Sequence, residues 1–399
     1  MKKRSLGNPF RIHGLVSGNY FTNRDDELKR LVHALKEPGS KLLVYSPRRM
    51  GKTSTVMNAI DTVNKNGGHA FLADLSTAST AVDMANRILA SASRIIGKKR
   101  ENFVTDVVSR LNVMVSLTPD PATGIPLPSI DINLRSDEIG KQRQTLSGVL
   151  DAINGTAKER KITVGIALDE FQEINKFGGE TAEWDLRASI QQHGNIGYVL
   201  FGSREHLIQR MINSKGALYK LLDNLPFGPI NQRHMAEWID NRMADAGVKV
   251  QGVGDRIVHL AGARTRDIVQ MARRCYDLTV VRGQATIEDV EHAFEDIIAD
   301  EHDLLYECWL SFTAHQQNIL RAVAAGEKGL TTRETLAKFT LGSSGTVTNS
   351  VNSLIKAGHL IRQDAYTRRK VTTPTGYDFD SPFFRGWVVQ QTLSDIGLP

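Results

Sequence analysis

The sequence is poor in cysteine, with only Cys275 and Cys308 in 399 residues. Two thiols exclude a disulfide framework and a four-cysteine zinc site, and they suit a reducing cytosol. No stretch approaches the ~18 uninterrupted apolar residues of a membrane span, so no membrane partner is expected. Charge of one sign is also missing: 50 Lys+Arg stand against 44 Asp+Glu, a formal balance of +6. So mild an excess permits a nucleic-acid partner without demanding one. The 12 Pro and 33 Gly exclude a collagen-like or low-complexity chain. No internal repeat with a period of roughly 20–50 residues is visible. The opening Met1-Lys2-Lys3-Arg4-Ser5-Leu6-Gly7 carries charge with no apolar stretch behind it, so a cytoplasmic rather than a secreted protein is expected. What is present is a globular composition, 41% hydrophobic and 24% charged, long enough for two or three domains.

After an extended lead-in over residues 8–24, a helix is expected over Asp25–Leu35. Its acids suit the N-terminus, and Leu28, Leu31, Val32 and Leu35 share a face. Lys41–Tyr45 reads as a buried strand, Gly51 to about Lys65 as a helix, Ala70–Leu75 as a strand and Ala81–Ile96 as a helix. This β-α-β-α order predicts an α/β fold with a parallel sheet and helices on its faces. Residues 112–135 interrupt the rhythm. Two strand-like runs, Val113–Leu117 and Ser129–Leu134, flank a turn-rich link and predict a β-hairpin at the sheet edge. A helix over Gln142–Asn154, a strand over Ile162–Leu168, a helix over 181–193 and a strand over Tyr198–Phe201 follow. After about residue 230 the strands are expected to stop. Helices are expected over Met235–Ala246, Gly254–Ala261, Thr265–Val281 and Ile287–Ala299, then over 312–324, 331–338 and 344–357, with a hairpin over 359–379. The expected division is therefore 1–230, with its hairpin insertion near 112–135, then an all-α unit over 231–300, then a third domain over 301–399.

The chemistry gathers at Ser46-Pro47-Arg48-Arg49-Met50-Gly51-Lys52-Thr53, between a buried strand and a helix. A P-loop needs Gly, four residues, then Gly-Lys-Ser/Thr, and here Ser46 stands for the first Gly. Backbone N–H groups at the helix start, with Ser54 following, would cradle phosphate oxygens. Gly51 would let the main chain approach, Lys52 would put a charge on the β/γ-phosphates, and Thr53 would offer its hydroxyl to Mg²⁺. The apolar strand at 162–168 runs into Asp169-Glu170, so its acids emerge at a strand C-terminus, where open α/β sheets bind ligands. Asp169 would hold Mg²⁺ through water, and Glu170 would orient and activate the attacking water. Ser203, after the Tyr198–Phe201 strand, either reaches the γ-phosphate or caps the next helix. Arg266, at the start of a helix in the all-α unit, either folds over the nucleotide or is solvated, with Arg264 as the near alternative.

Further on, 331–338 and 343–357 read as a helix-turn-helix, with Val347, Val351, Leu354 and Ile355 facing inward. The hairpin behind them is tipped by Tyr366-Thr367-Arg368-Arg369-Lys370. Short polar side chains on the second helix and a basic wing tip suit double-stranded DNA through 343–370; protein contact is the competing use.

The P-loop octet, Asn8-Pro9-Phe10, Phe21-Thr22-Asn23-Arg24-Asp25-Asp26-Glu27-Leu28, Asp169-Glu170-Phe171-Gln172-Glu173-Ile174, Phe201-Gly202-Ser203 and Tyr377-Asp378-Phe379-Asp380-Ser381-Pro382-Phe383-Phe384-Arg385-Gly386-Trp387 together resemble the archaeal-type AAA+/STAND P-loop ATPases, relatives of the origin-recognition ATPases. The resemblance spans nearly the whole chain. It implies an ATPase core, a helical lid and a winged-helix domain, with ATP rather than a guanine nucleotide as ligand. By that likeness Ser203 matches sensor 1 and Arg266 matches sensor 2, and Arg24 lies in the segment that packs near the adenine. Ser46, and Thr265 where this family often has Pro, depart from the pattern. Arg187, Arg204, Arg210 and Lys220 are the candidates for an arginine finger. A homo-oligomer that forms on ATP, and a protein partner of unknown identity, are the partners such a chain would be expected to have.

Overall fold

The structure is a computed structural model that describes residues 7–95, 102–111, 115–119, 126–130, 139–363 and 376–393. The chain clusters into two units, Arg24–Phe227 and Met1–Asn23 with Gly228–Pro399. Among the described residues no helix is long and apolar enough to cross a membrane.

In the Arg24–Phe227 unit, α1 (Asp25–Lys36), β1 (Lys41–Tyr45), α2 (Lys52–Lys65), β2 (His69–Asp74), α3 (Ala81–Ile95) and α4 (Asn102–Ser109) come first. After them come β3 (Val115–Pro119), β4 (Pro126–Ile130), α5 (Ile139–Glu159) and β5 (Val164–Asp169). A 3₁₀ segment (Phe171–Phe177), α6 (Gly179–Gln191), β6 (Ile196–Gly202), α7 (Glu205–Ile212) and β7 (Asp223–Pro226) complete it. Five strands form one parallel sheet in the order β2-β5-β6-β1-β7. The central strands β1, β5 and β6 are near-continuous apolar runs because both faces are covered. Ile166, Leu168, Tyr198 and Leu200 join a core with Met84, Ile88, Leu150 and Leu186 of the helices on one side. On the other side α1 lies close against β5 and β6. A Cβ on Gly197 would stand 2.2 Å from the Ala34 carbonyl oxygen, and one on Gly165 would stand 2.7 Å from that of Leu35. Glycine at these two positions is what lets the helix backbone approach.

The expected hairpin is antiparallel, with Val115 opposite Ile130, but it forms its own two-stranded sheet rather than an extension of the main sheet's edge. Pro119, Pro126 and Pro128 lie within its ten strand residues and cannot donate to a neighbouring ladder, which suits an isolated ribbon. Its strands run later and earlier than the alternation suggests, and residues 131–134 lie outside the described residues. The eight-residue α4 was not expected. It buries Phe103, and Asp106 pairs with Arg160 at 2.6 Å.

The second unit holds α8 (Gln232–Asp245), β8 (Lys249–Val250), α9 (Val253–Ala261), α10 (Thr265–Thr279), β9 (Gln284–Ala285) and α11 (Ile287–Asp300). It continues with α12 (His302–Leu310), α13 (Ala314–Ala324), α14 (Arg333–Lys338), α15 (Ser344–Ala357), β10 (Leu360–Arg362), β11 (Tyr377–Phe379) and α16 (Pro382–Val388). Strands do not stop at 230: β8 and β9 form a short parallel pair. The segment before Arg24 goes with this unit and not with the sheet expected for 1–230. Phe10 is fully buried edge-on against Trp238, its carbonyl accepts from Arg273 at 3.1 Å, and Asn8 donates to Asp277 at 2.7 Å. The expected cut at 300 falls inside one continuous core that runs from Met235 to Val388. Trp309 and Trp387 pack 6.0 Å apart within it. The two helices expected over 331–338 and 344–357 are α14 and α15, with Val347, Val351 and Leu354 buried on the second. The stems of the expected 359–379 hairpin pair antiparallel, Leu360 opposite Phe379. Its tip, with Tyr366–Lys370, lies outside the described residues.

Candidate functional site

β1 ends at Tyr45, and the chain turns through Ser46–Gly51 into α2. The turn is made by two left-handed residues, Arg49 at φ 68° and Gly51 at φ 88°. The second suits glycine, whereas an arginine in that region is strained, a feature that clusters at ligand sites. Gly51 has no side chain to cap α2, so the first N–H groups of the helix stay with the loop. Lys52 is only 7% exposed. Its ammonium donates to the Ser46 carbonyl at 2.7 Å, the Ser46 hydroxyl at 3.1 Å and the Pro47 carbonyl at 2.9 Å. Ser46, the departure from the P-loop pattern, thus adds an acceptor that a glycine would lack, and its own hydroxyl donates to the Pro47 carbonyl at 3.0 Å. Met50 is buried under the loop, and the Ser54 carbonyl accepts from Asn58 at 2.7 Å inside the helix.

Across from the loop, the Thr53 hydroxyl donates to Asp169 Oδ2 at 3.0 Å. Burial pushes the Asp169 carboxyl up to about 7. The Thr53 hydrogen bond opposes the rise, while the negative charges of Glu170 and Asp74 add to it. Asp74 stands opposite Asp169 in the β2–β5 register and was not singled out from sequence. Its signal was an acid at a strand's C-terminal end. Glu170 is left-handed at φ 52°. Its carboxylate accepts from the Ser203 N–H at 3.2 Å and from the Gln172 side-chain amide. Gln172 is fully buried and was also missed; Gly202 makes room for it, since a Cβ there would strike the Gln172 side chain. The Ser203 hydroxyl accepts from Arg48 Nε at 3.2 Å. The N-cap position of α7 is Arg204, one residue after Ser203.

Lys52, Thr53, Asp169, Glu170, Ser203 and Arg48 therefore meet at the C-terminal ends of β1, β5 and β6. Arg24, expected in the segment that packs near the adenine, lies against the loop. Only 3% exposed, it pairs with Glu27 at 2.9 Å, donates to the Met50 carbonyl at 3.2 Å and lies 4.0 Å over the Phe227 ring. It braces the back of the loop. Arg266 belongs to the other unit and is exposed on α10. Its near alternative, Arg264, is 3% exposed and pairs with Asp380, which ties the start of α10 to the segment between β11 and α16. Of the finger candidates, Arg187 donates to the Ala217 and Tyr219 carbonyls, Arg204 pairs with Glu173, and Arg210 pairs with Glu183. Lys220 stands 5.3 Å over the Tyr219 ring. Among the described residues no cluster of three His, Cys, Asp or Glu could hold a metal by itself. The Thr53 hydroxyl and the Asp169 carboxylate are a hard oxygen pair, the donor type that suits Mg²⁺ completed by phosphate and water.

The chain is similar to the Walker-type ATPase of Pyrococcus abyssi, at 16% identity and a TM-score of 0.62 over 95% of this chain and 99% of that one. It is also similar to the ORC2 protein of Aeropyrum pernix, solved as ADPNP–ADP complexes, at 15% identity and a TM-score of 0.54 over 94% and 96%. No family model and no curated protein matches the sequence. The fold is that of the archaeal origin-recognition-like, Walker-type P-loop ATPases, as the sequence motifs imply.

Proposed function

We propose that the Arg24–Phe227 unit binds Mg-ATP and hydrolyses it, and that nucleotide state sets the arrangement of the domains. The observation that carries this reading is the meeting of the Lys52 ammonium, the Thr53–Asp169 pair and the Glu170 carboxylate at the ends of three neighbouring parallel strands. Lys52 already lies against loop oxygens and would exchange them for phosphate oxygens. The uncapped N–H groups of α2 would take the rest. Mg²⁺, held at Thr53 and through water at Asp169, would supply charge neutralisation on the β- and γ-phosphates. Glu170 orients a water and accepts its proton as the oxygen bonds to the γ-phosphorus. The bond to the β–γ bridging oxygen breaks, and its electron pair leaves with ADP. Ser203 holds Glu170 through its N–H.

The test is a pair of variants. Lys52→Ala should abolish nucleotide binding. Glu170→Gln should keep binding and lower turnover by about 10²–10⁴-fold. Hydrolysis at the wild-type rate in Glu170→Gln would remove that residue from the mechanism.

A second reading, DNA binding through 343–370, has one observation in its favour. Thr346, Thr348, Asn349, Asn352, Ser353 and Lys356 are all exposed on α15, outside its buried Val347–Val351–Leu354 stripe. Replacing Arg368, Arg369 and Lys370 together with Ala should reduce the slope of log K against log salt by about two to three. An unchanged slope with intact ATPase points to protein contact instead.

A further inference from the structure

Gln172 is a buried amide two residues after Glu170, in a 3₁₀ segment whose Phe171 and Ile174 belong to the apolar core. A buried polar side chain is costly unless it is hydrogen-bonded, and the partner here is Glu170. The left-handed backbone of Glu170, φ 52°, and the bond from the Glu173 N–H to the Glu170 carbonyl at 2.9 Å fold the chain back on itself. That turn brings the Gln172 amide to the Glu170 carboxylate. A carboxylate only accepts, so the amide must turn its NH₂ toward Glu170 and its carbonyl oxygen away. That oxygen, Gln172 Oε1, is buried and finds no hydrogen-bond partner among the described residues. It faces the end of β6, where a Cβ on Gly202 would strike it. An apolar side chain of the same length would leave no such orphan, so the amide keeps one unmet acceptor for the sake of its bond to Glu170. The Ser203 N–H ends on the same carboxylate oxygen, Oε2, at 3.2 Å. Among the described residues no hydrogen bond ends on Oε1. Two donors, one from the 3₁₀ segment and one from the residue after β6, thus fix one oxygen and leave the other open. The two elements are themselves tied, since Glu173 pairs with Lys176 and also, at 3.5 Å, with Arg204 next to Ser203.

We propose that Gln172 is the positioning residue of the general base: it clamps Glu170 Oε2, so that Oε1 is the oxygen that meets the attacking water. The inference rests on the ATP reading above. As the water oxygen bonds to the γ-phosphorus, its proton passes to Oε1. The bond from the γ-phosphorus to the bridging oxygen breaks, and its electron pair leaves with ADP. Gln172 touches neither the water nor the phosphates. What it supplies is the orientation of a carboxylate, so its contribution falls on turnover and not on nucleotide affinity. Gly202 serves the same end, because a side chain there would push the amide off the carboxylate.

The experiment uses the full chain. For each protein kcat and the dissociation constant of a non-hydrolysable ATP analogue are measured, with the thermal midpoint as the check of folding. Gln172→Met keeps the length of the side chain and removes the amide. It should lower kcat by about 10²-fold, the order expected when a reacting group is misplaced by about 1 Å, and leave analogue affinity within about threefold of wild type. Gly202→Ala should show the same split. In a Glu170→Gln background, Gln172→Met should lower the remaining rate by less than about threefold, because the carboxylate it positions is already gone. A purely structural role would cost the same factor in both backgrounds. A wild-type kcat in Gln172→Met overturns the proposal, and so does an equal loss in both backgrounds or a loss of analogue binding. If Gln172→Met does not fold, Gly202→Ala decides: a wild-type rate overturns the proposal, and slow turnover with the analogue still bound sustains it. Failure of the ATP reading is told apart by the parent proteins. A wild-type chain that binds no analogue sinks the nucleotide reading, a Glu170→Gln protein at the wild-type rate sinks the base assignment, and either result takes this inference with it.

Discussion

α2 and α15 are both 14 residues long and begin in opposite ways. Ser343 caps α15, its hydroxyl accepting the Thr346 N–H at 3.2 Å, so the helix closes its own N-terminus and turns a short polar face outward. α2 starts from left-handed Gly51 and has no side chain at that position to offer. A lysine in its first turn lies across the loop, and Thr53 reaches Asp169 on another strand. The contrast extends to the acids nearby. Asp289 serves α11 as half of a capping box with Thr286 and is held below the usual carboxylate range. Burial raises its carboxyl, but the Arg282 hydrogen bond and the Thr286 contacts outweigh it. Asp169 is half-buried beside Glu170 and Asp74 and is pushed the other way. Where a helix only has to be stable, the sequence satisfies its end locally. Where a ligand has to bind, the helix end is left to the loop and like charges are gathered, at a cost in stability that a cation and phosphates would offset.

The comparison breaks most sharply if α2 is given a cap like that of α15. Gly51→Asp puts a carboxylate where phosphate charge is expected, worth about 4 kcal/mol per charge pair at 4 Å near a surface, and adds a side chain at φ 88°. Nucleotide affinity should fall by roughly a thousandfold or more, read by titration calorimetry; binding within tenfold of wild type would show that α2 does not receive the phosphates.

The next effect is on pH dependence. In the absence of metal and nucleotide, burial holds the Asp169 carboxyl at about 7, well above the ordinary carboxylate value of about 3.9. Its value is raised, so the unfolded chain ionises first. The stabilising contribution is full below about 4 and is lost as pH rises through about 7, a swing of about 4 kcal/mol at most. Asp169→Asn should flatten that part of the stability-versus-pH curve in denaturant titrations. A curve that keeps its full slope would assign the proton elsewhere. The smallest expected effect sharpens the other half of the comparison. Ser343→Ala should cost about 1 kcal/mol of stability, seen as a lower thermal midpoint, with nucleotide affinity unchanged.

The sequence by itself determined the elements whose signals are local. The apolar runs at 41–45 and 162–168, the helical stripe Val347–Val351–Leu354, the Gly-Lys-Thr at a strand-helix junction and the Asp-Glu at a strand end each follow from a period or a spacing within a dozen residues. Only the tertiary structure decided what depends on distant partners. β7 has little apolar pattern of its own, with Leu225 its one buried residue, and is a strand because β1 pairs with it. Phe10 leaves the sheet unit because its partner, Trp238, lies far along the chain. Arg264 and Arg266 stand two residues apart at the start of α10, and sequence treats them alike. One is buried on Asp380 and the other exposed, because neighbouring positions on a helix point in different directions and what waits in each direction is chosen by packing. The same holds for Arg24 and Arg48, two cations beside one loop. Glu27 and Phe227 hold the first behind it, and Ser203 draws the second across it. Spacing along a chain fixes which side chains share a face; it carries no record of what the rest of the fold brings opposite them.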